Sequence, residues 1–113
     1  MDELWVIVNK LNKEYFGGLI NIRKVGILEV FKDKPKVCAQ YWKGDGFGEI
    51  YVLKRYLDST NYVKLEETIF HEMVHQVVFS HGSLFHEMME CYKKYNLKRL
   101  REILERWKKK KAA

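Results

Sequence analysis

The sequence is poor in cysteine and proline. It has two cysteines, Cys38 and Cys91, and one proline among 113 residues. Two cysteines that form no CxxC pair exclude a disulfide framework and a four-cysteine zinc ribbon. We therefore expect reduced thiols and a cytoplasmic protein. A single proline and seven glycines are also too few for a low-complexity linker.

Signals for membrane insertion and secretion are missing as well. No apolar run approaches the roughly 20 residues that are needed to cross a bilayer. The opening segment, MDELWVIVNK, has acidic side chains where a secretory signal peptide would be positively charged. We therefore expect no membrane partner.

The composition is typical of one small folded domain with an uneven charge distribution. Hydrophobic residues make up 47% and charged residues 32% of the chain, which argues against disorder. The net charge is +6, and ten basic residues stand against two acidic ones between Lys93 and Lys111. We expect residues 1–95 to form the domain and residues 96–113 to be its basic amphipathic C-terminal helix or tail. This segment either attracts nucleic acid through phosphate contacts or forms a solvated helix face.

The first half of the chain changes from a helical to a strand-like pattern. Apolar residues at helical spacing predict a first helix that Asp2 caps and that Gly17 and Gly18 end. The next segments are rich in β-branched and aromatic residues, and we expect them to form a small three-stranded antiparallel sheet. The predicted strands are residues 20–31, 37–42 and 49–53, with a turn at residues 32–36. The first of these segments is either one strand or two short ones, with a kink at Gly26.

The second half of the chain is predicted to be helical. Residues 58–61 offer several N-caps for a helix that runs to about Phe79. This helix carries the candidate site. A break around Gly82 follows, and Ser83 and Asn96 can cap two further helices. Because strands and helices are segregated along the chain, the fold class is α+β.

All four histidines lie between His71 and His86, and residues 71–75 read HEMVH, an HExxH motif. Residues four apart share one helix face, with about 5–6 Å between Cβ atoms. His71 and His75 can therefore direct a nitrogen each at one zinc ion, at about 2.0–2.1 Å. Glu72 lies beside that face, where its carboxylate can take a proton from water and pass it to a leaving amine. The spacing predicts a zinc site with Glu72 as the catalytic residue.

A catalytic zinc site needs a third protein ligand and one open position. His81 is the preferred third ligand, and this requires the helix to end near Phe79 so that the chain can turn back. Glu87 and Glu90 are the alternatives, because a following antiparallel helix would place them level with the HExxH histidines. We interpret His86 as a packing or supporting histidine.

These residues resemble the SprT-like zinc metalloproteases, the Spartan-like zincins. The resemblance rests on three segments. Residues 67–75 read ETIFHEMVH, residues 81–85 read HGSLF with Met88 after them, and residues 12–19 read NKEYFGGL. Together these segments cover most of residues 9–89.

The resemblance implies a zincin-like fold with His71, His75 and His81 as zinc ligands and Glu72 as the catalytic acid and base. It also implies that Phe85 packs under the site. Members of this family cut proteins, and several act on DNA-bound or DNA-crosslinked proteins.

The chain is also similar to the minimal gluzincins in its brevity and in its order of one helix, three strands and two helices. In that group the third ligand is a glutamate on the helix that follows HExxH. This second resemblance implies that Glu87 or Glu90 takes the place of His81.

The leading hypothesis is a zinc-dependent endopeptidase that binds a protein or peptide substrate along the edge of the sheet. One tyrosine of seven could stabilise the oxyanion, but the sequence does not single one out. The alternative is a zinc-containing nucleic-acid-binding module without proteolytic activity. A third hypothesis is a latent protease whose segment 96–113 covers the cleft. The oligomeric state stays open.

Overall fold

The computed structural model describes residues 3–30 and 37–112. Over these residues the chain forms three strands and five helices. In chain order they are α1 (Glu3–Tyr15), β1 (Ile22–Leu28), β2 (Ala39–Lys43), β3 (Gly48–Leu53), α2 (Lys54–Ser59), α3 (Tyr62–Val74), α4 (Ser83–Lys93) and α5 (Leu97–Ala112). The predicted α+β class is confirmed.

The sheet is mixed, so the prediction of an antiparallel sheet is wrong for one of its two pairings. β3 lies in the centre, where it pairs antiparallel with β2 and parallel with β1. Residues 50–53 of β3 are all buried, whereas β1 and β2 keep exposed positions. A strand that is buried on both faces belongs in the middle of a sheet. Because β3 takes the middle place, β1 pairs with β3 and not with β2.

The predicted strands lie where the sequence places them, but their ends differ. β1 covers residues 22–28 of the predicted 20–31. Gly26 stays in register with Tyr51 and is no kink, since the irregularity of β1 lies between Ile22 and Lys24. A Cβ on Gly26 would lie 3.0 Å from the ring of Tyr51, so a larger residue here would require that ring to shift by a few tenths of an ångström. The Asp2 cap and the turn at residues 32–36 lie outside the described residues.

The helix ends are set by local hydrogen bonds. α1 ends at Tyr15, and Gly17 and Gly18 follow with φ of 59° and 77°, a region that favours glycine. Asn61 caps α3, because its side chain accepts from the backbone N–H of Lys64 at 2.9 Å. The sequence pattern did not predict α2. The prediction that Ser83 caps α4 is wrong, because Gly82 is the N-cap and Ser83 is the first residue of the helix.

The core lies between the sheet and the helices α1, α3, α4 and α5. Phe16 and Phe70 are fully buried and stack with their ring centroids 5.0 Å apart. The apolar stripe of α5 is buried through Leu100, Ile103 and Leu104, and α5 packs on α4 and α1. α5 is therefore packed on the domain core through this stripe, and its other face is exposed.

None of the described helices is both long enough and apolar enough to span a bilayer.

A charged contact joins α1, α3 and α4 at the edge of this core. Glu66 accepts hydrogen bonds from the Lys10 ammonium and from the Tyr92 hydroxyl, both at 2.8 Å. Burial acts to raise the pKa of Glu66, but the bonds from Lys10 and Tyr92 outweigh it, so that the pKa lies below its usual value. The ionised carboxylate is thus the form that the folded state favours.

We expect Glu66→Gln to lower the free energy of unfolding by about 1–2 kcal/mol at pH 7, because a charge-assisted hydrogen bond is lost. The loss should shrink as the pH falls below about 4, since a carboxylate with a lowered pKa stabilises the fold only while it is ionised. Urea unfolding of both proteins across this pH range measures the effect.

Asp58→Asn is the matched control, since it breaks the exposed pair of Lys54 and Asp58 within one helix. Such exposed pairs contribute little, so we expect a change below about 0.5 kcal/mol. Equal effects of the two substitutions would contradict a structural role for the Glu66 contact.

Candidate metal centre

The first two histidines lie at the C-terminal end of α3. α3 ends at Val74, and His75 is its C-cap residue with helical backbone angles. The rings of His71 and His75 therefore stay one turn apart, with their centroids separated by 5.0 Å. Nδ1 of His75 lies 3.2 Å from the carbonyl oxygen of Val78. Because a carbonyl only accepts, Nδ1 holds the proton and Nε2 offers its lone pair to the site.

The helix that carries HExxH is shorter than predicted. The sequence pattern predicted it to run to about Phe79, but after Val74 the backbone bonds become tighter. Gln76 donates to Met73 at 3.1 Å and Val77 donates to Val74 at 2.8 Å, each spanning three residues. This turn reverses the chain early and brings His81 back towards the first two histidines.

His81 completes a group of three imidazoles. Its Nε2 lies 3.2 Å from Nε2 of His75, and its ring centroid lies 5.3 Å from that of His71. One nitrogen from each of the three rings lies within 4.8 Å of the others. A tetrahedral ion at about 2.0–2.1 Å from each nitrogen requires separations of about 3.3 Å. The pair of His75 and His81 meets this spacing already, and the three residues together could hold one metal ion.

Burial favours the neutral form of the His71 and His75 rings, which is the form that binds metal. It lowers the pKa of His71 to about 4, with a further contribution from the neighbouring His75 and His81. Burial also lowers the pKa of His75, and the hydrogen bond to Val78 opposes this only in part. Neutral imidazole is the ligand form of histidine, so His71 and His75 are ready for a cation at neutral pH.

Glu72 is a buried carboxyl group next to the three histidines. It is 7% exposed, and one carboxylate oxygen lies 3.8 Å from Nε2 of His71. Burial raises its pKa to about 8. A raised pKa makes the ionised carboxylate a stronger proton acceptor than an exposed one, and this is the property that a general base needs.

Phe85 packs against all three metal-binding candidates. Its ring centroid lies 4.7 Å from that of His71, 5.2 Å from that of His75 and 4.7 Å from that of His81. Phe85 is 3% exposed and belongs to the core. The packing under the site that the SprT-like resemblance implied is therefore present.

The two glutamates proposed as alternative ligands face other partners. Glu87 accepts from Nε of Arg99 at 2.6 Å, and this bond holds its pKa below the usual value. Glu90 is exposed and pairs with Lys94 at 3.4 Å. Because α4 begins at Ser83, soon after the turn, Phe85 lies on its face towards the histidines, and Glu87 contacts α5. His86 is exposed, and its ring contacts that of Phe85.

An open cleft of about 640 Å³ lies over the histidines and Glu72. One wall is β2 together with the two residues that precede it, and the other is the face of α3 that carries HExxH. The lining residues are Val37, Cys38, Ala39, Gln40, Tyr41, Trp42, Glu67, Thr68, His71, Glu72, His75, Phe79, His81 and Met89. Among the described residues, those of α5 do not line this cleft.

Gln76, which sequence reasoning missed, ties the two walls together. Its side chain accepts from the backbone N–H of Asn21 at 2.7 Å and donates to the Asn21 carbonyl at 2.9 Å. It also donates to the Tyr41 hydroxyl at 2.9 Å. A Cβ on residue 48 would collide with the Tyr41 hydroxyl, so this arrangement depends on Gly48. The turn after His75 is thereby fixed to the start of β1 and to β2.

No family model, no curated protein and no solved structure matches this chain. Any function for it has to be argued from the geometry of the site itself.

We expect His81→Ala to weaken zinc binding far more than Glu87→Gln or Glu90→Gln does, because only His81 directs a nitrogen at the other two histidines. Losing one of three protein ligands should cost at least about 100-fold in affinity, by comparison with the 10–100-fold that supporting residues cost. Competition with a fluorescent chelator measures the affinity.

Circular dichroism of the metal-free proteins provides the control for folding. If Glu87→Gln or Glu90→Gln lost zinc while His81→Ala kept it, the three-histidine site would be contradicted.

Proposed function

We propose that this protein is a zinc-dependent metallopeptidase that hydrolyses peptide bonds, with Glu72 as general base and acid. One observation supports the proposal above all. Three imidazole nitrogens converge beside a buried carboxylate, and this group opens into a cleft along the free edge of a sheet. Neutral imidazoles with a carboxylate close by are the components of a hydrolytic zinc site.

The donor set favours zinc over harder cations. His71, His75 and His81 offer nitrogen only, whereas magnesium and calcium prefer oxygen ligands. Three protein ligands are one short of tetrahedral coordination, so one position stays open to water or substrate. A zinc ion bound there would supply a Lewis acid that polarises the scissile carbonyl and lowers the pKa of water.

Glu72 has the position and the environment of a proton carrier. Its carboxylate can accept a proton from the attacking water, which leaves a better nucleophile for the peptide carbonyl. The same carboxyl group then donates that proton to the leaving nitrogen. Its raised pKa supports both transfers, because the group holds the proton for part of the cycle at neutral pH.

The free edge of β2 offers a place for an extended peptide. Among the described strands β2 pairs with β3 alone, and residues of β2 line the cleft opposite α3. A peptide can add to such an edge through backbone hydrogen bonds. Its carbonyl groups would then pass over His75 and Glu72 in a defined register.

We expect Glu72→Gln to bind zinc with unchanged affinity and to lose peptide cleavage by about 100-fold to 10,000-fold. The amide keeps the shape of the side chain but cannot take a proton. Cleavage of an unfolded protein and of a quenched fluorogenic peptide measures the activity, and chelator competition measures the zinc.

Glu90→Gln makes the same chemical change at an exposed carboxylate outside the cleft and should leave cleavage unaltered. Undiminished cleavage by zinc-loaded Glu72→Gln would overturn the peptidase proposal.

The predictions for the C-terminal segment stay predictions. α5 presents basic side chains to solvent, including Lys98, Arg101 and Arg106, on a surface separate from the cleft. That surface keeps open a zinc-containing module that binds nucleic acid and does not cleave peptides. A latent protease would require α5 to leave its packing on α4 and α1 and to cover the cleft.

A further inference from the structure

The cleft has two distinguishable ends, and one of them is next to Thr68. The Cys38 carbonyl, just before β2, accepts from the backbone N–H of Leu53 at 2.9 Å. α2 follows β3 directly, and its Tyr56 hydroxyl shares a hydrogen bond of 2.7 Å with Thr68. The start of β2 therefore lies at the N-terminal part of α3.

The other end lies beside the turn that follows α3. The Tyr41 hydroxyl accepts from Gln76, and the Tyr41 ring contacts that of Phe79 with the centroids 5.9 Å apart. The Lys43 ammonium lies 5.7 Å from the centroid of the Phe79 ring. The end of β2 is thus next to the end of α3, so the strand and the helix run in the same direction.

This geometry gives a bound peptide a direction. An extended peptide that adds to β2 as an antiparallel strand runs opposite to β2. Its N-terminal residues then lie beside Lys43 and Phe79. The scissile bond then lies at the histidines, and the peptide residues that follow this bond lie beside Thr68.

Glu67 is in the cleft wall at that second end. It lies four residues before His71 on α3, which places their Cβ atoms about 5–6 Å apart. Its half-buried side chain makes no hydrogen bond or ion pair with any described residue. Among the described residues that line the cleft, none is lysine or arginine, although the whole chain has a net charge of +6. The described wall thus presents an uncompensated carboxylate to the substrate.

We propose that Glu67 selects a lysine or arginine side chain at the position that follows the scissile bond. The substrates are then extended peptides that are cleaved on the N-terminal side of a basic residue. This inference rests on the proposed peptidase function, since it assumes that the cleft binds peptides. A carboxylate close to the reacting bond pairs well with a long basic side chain, whose aliphatic part can lie along Thr68 and Met89.

Peptide binding tests the subsite without any turnover. Zinc-loaded Glu72→Gln protein is titrated with labelled peptides that differ only at the position after the intended bond, which is lysine, norleucine or glutamate. Fluorescence anisotropy should show the lysine peptide binding about tenfold more tightly than the norleucine peptide. The glutamate peptide should bind most weakly.

Substitutions at Glu67 in this background assign the preference. Glu67→Gln should remove the difference between lysine and norleucine, and Glu67→Lys should favour the glutamate peptide. Glu105→Gln is the matched control, because it makes the same change of net charge on exposed α5 and should leave the preference intact.

Cleavage by the wild-type protein separates the two proposals. Mass spectrometry of a digested unfolded protein should place the cuts before lysine and arginine, and Glu67→Lys should move them towards acidic residues. Cleavage without any basic preference, or equal binding of all three peptides, overturns the Glu67 subsite and leaves the peptidase intact. A lysine preference in binding that Glu67→Gln removes, with no cleavage by the wild type, supports the subsite and overturns the peptidase.

Discussion

The early end of α3 is the constraint on which the candidate site depends. If the helix continued unbroken from Val74 through His81, His81 would lie about 15 Å along the helix from His71, too far to share an ion with it. The tight turn after Val74 instead brings Nε2 of His81 to 3.2 Å from Nε2 of His75. This reversal of the chain is what places the three imidazole rings together at the cleft.

Gln76 joins the same turn to the β2 wall of the cleft by hydrogen bonds. It follows His75 directly and makes hydrogen bonds to Asn21, just before β1, and to Tyr41 within β2. The metal-binding group and the edge strand are thus held by one side chain. The proposed peptidase activity would require this rigidity, because small displacements of the reacting groups lower the rate by large factors.

Local patterns were enough to predict the α+β class, the approximate strands, an N-cap within residues 58–61 and the proximity of His81 to the HExxH histidines. HExxH spacing depends only on helix geometry, so it can be found without a structure. The parallel pairing of β1 with β3 could not be predicted, because it depends on which strand is buried on both faces. The contacts of Gln76 join distant segments, and no motif marks this residue. Glu67 begins the segment ETIFHEMVH, but its place in the cleft wall depends on how β2 lies opposite α3.

X-ray absorption at the zinc edge of the reconstituted protein tests the central claim most directly. Three imidazole nitrogens and one oxygen at about 2.0–2.1 Å are the predicted first shell. His71, His75 and His81 would supply the nitrogens, and the oxygen would mark the open position. A sulfur ligand at about 2.3 Å, or a shell with fewer than three imidazoles, would contradict the account.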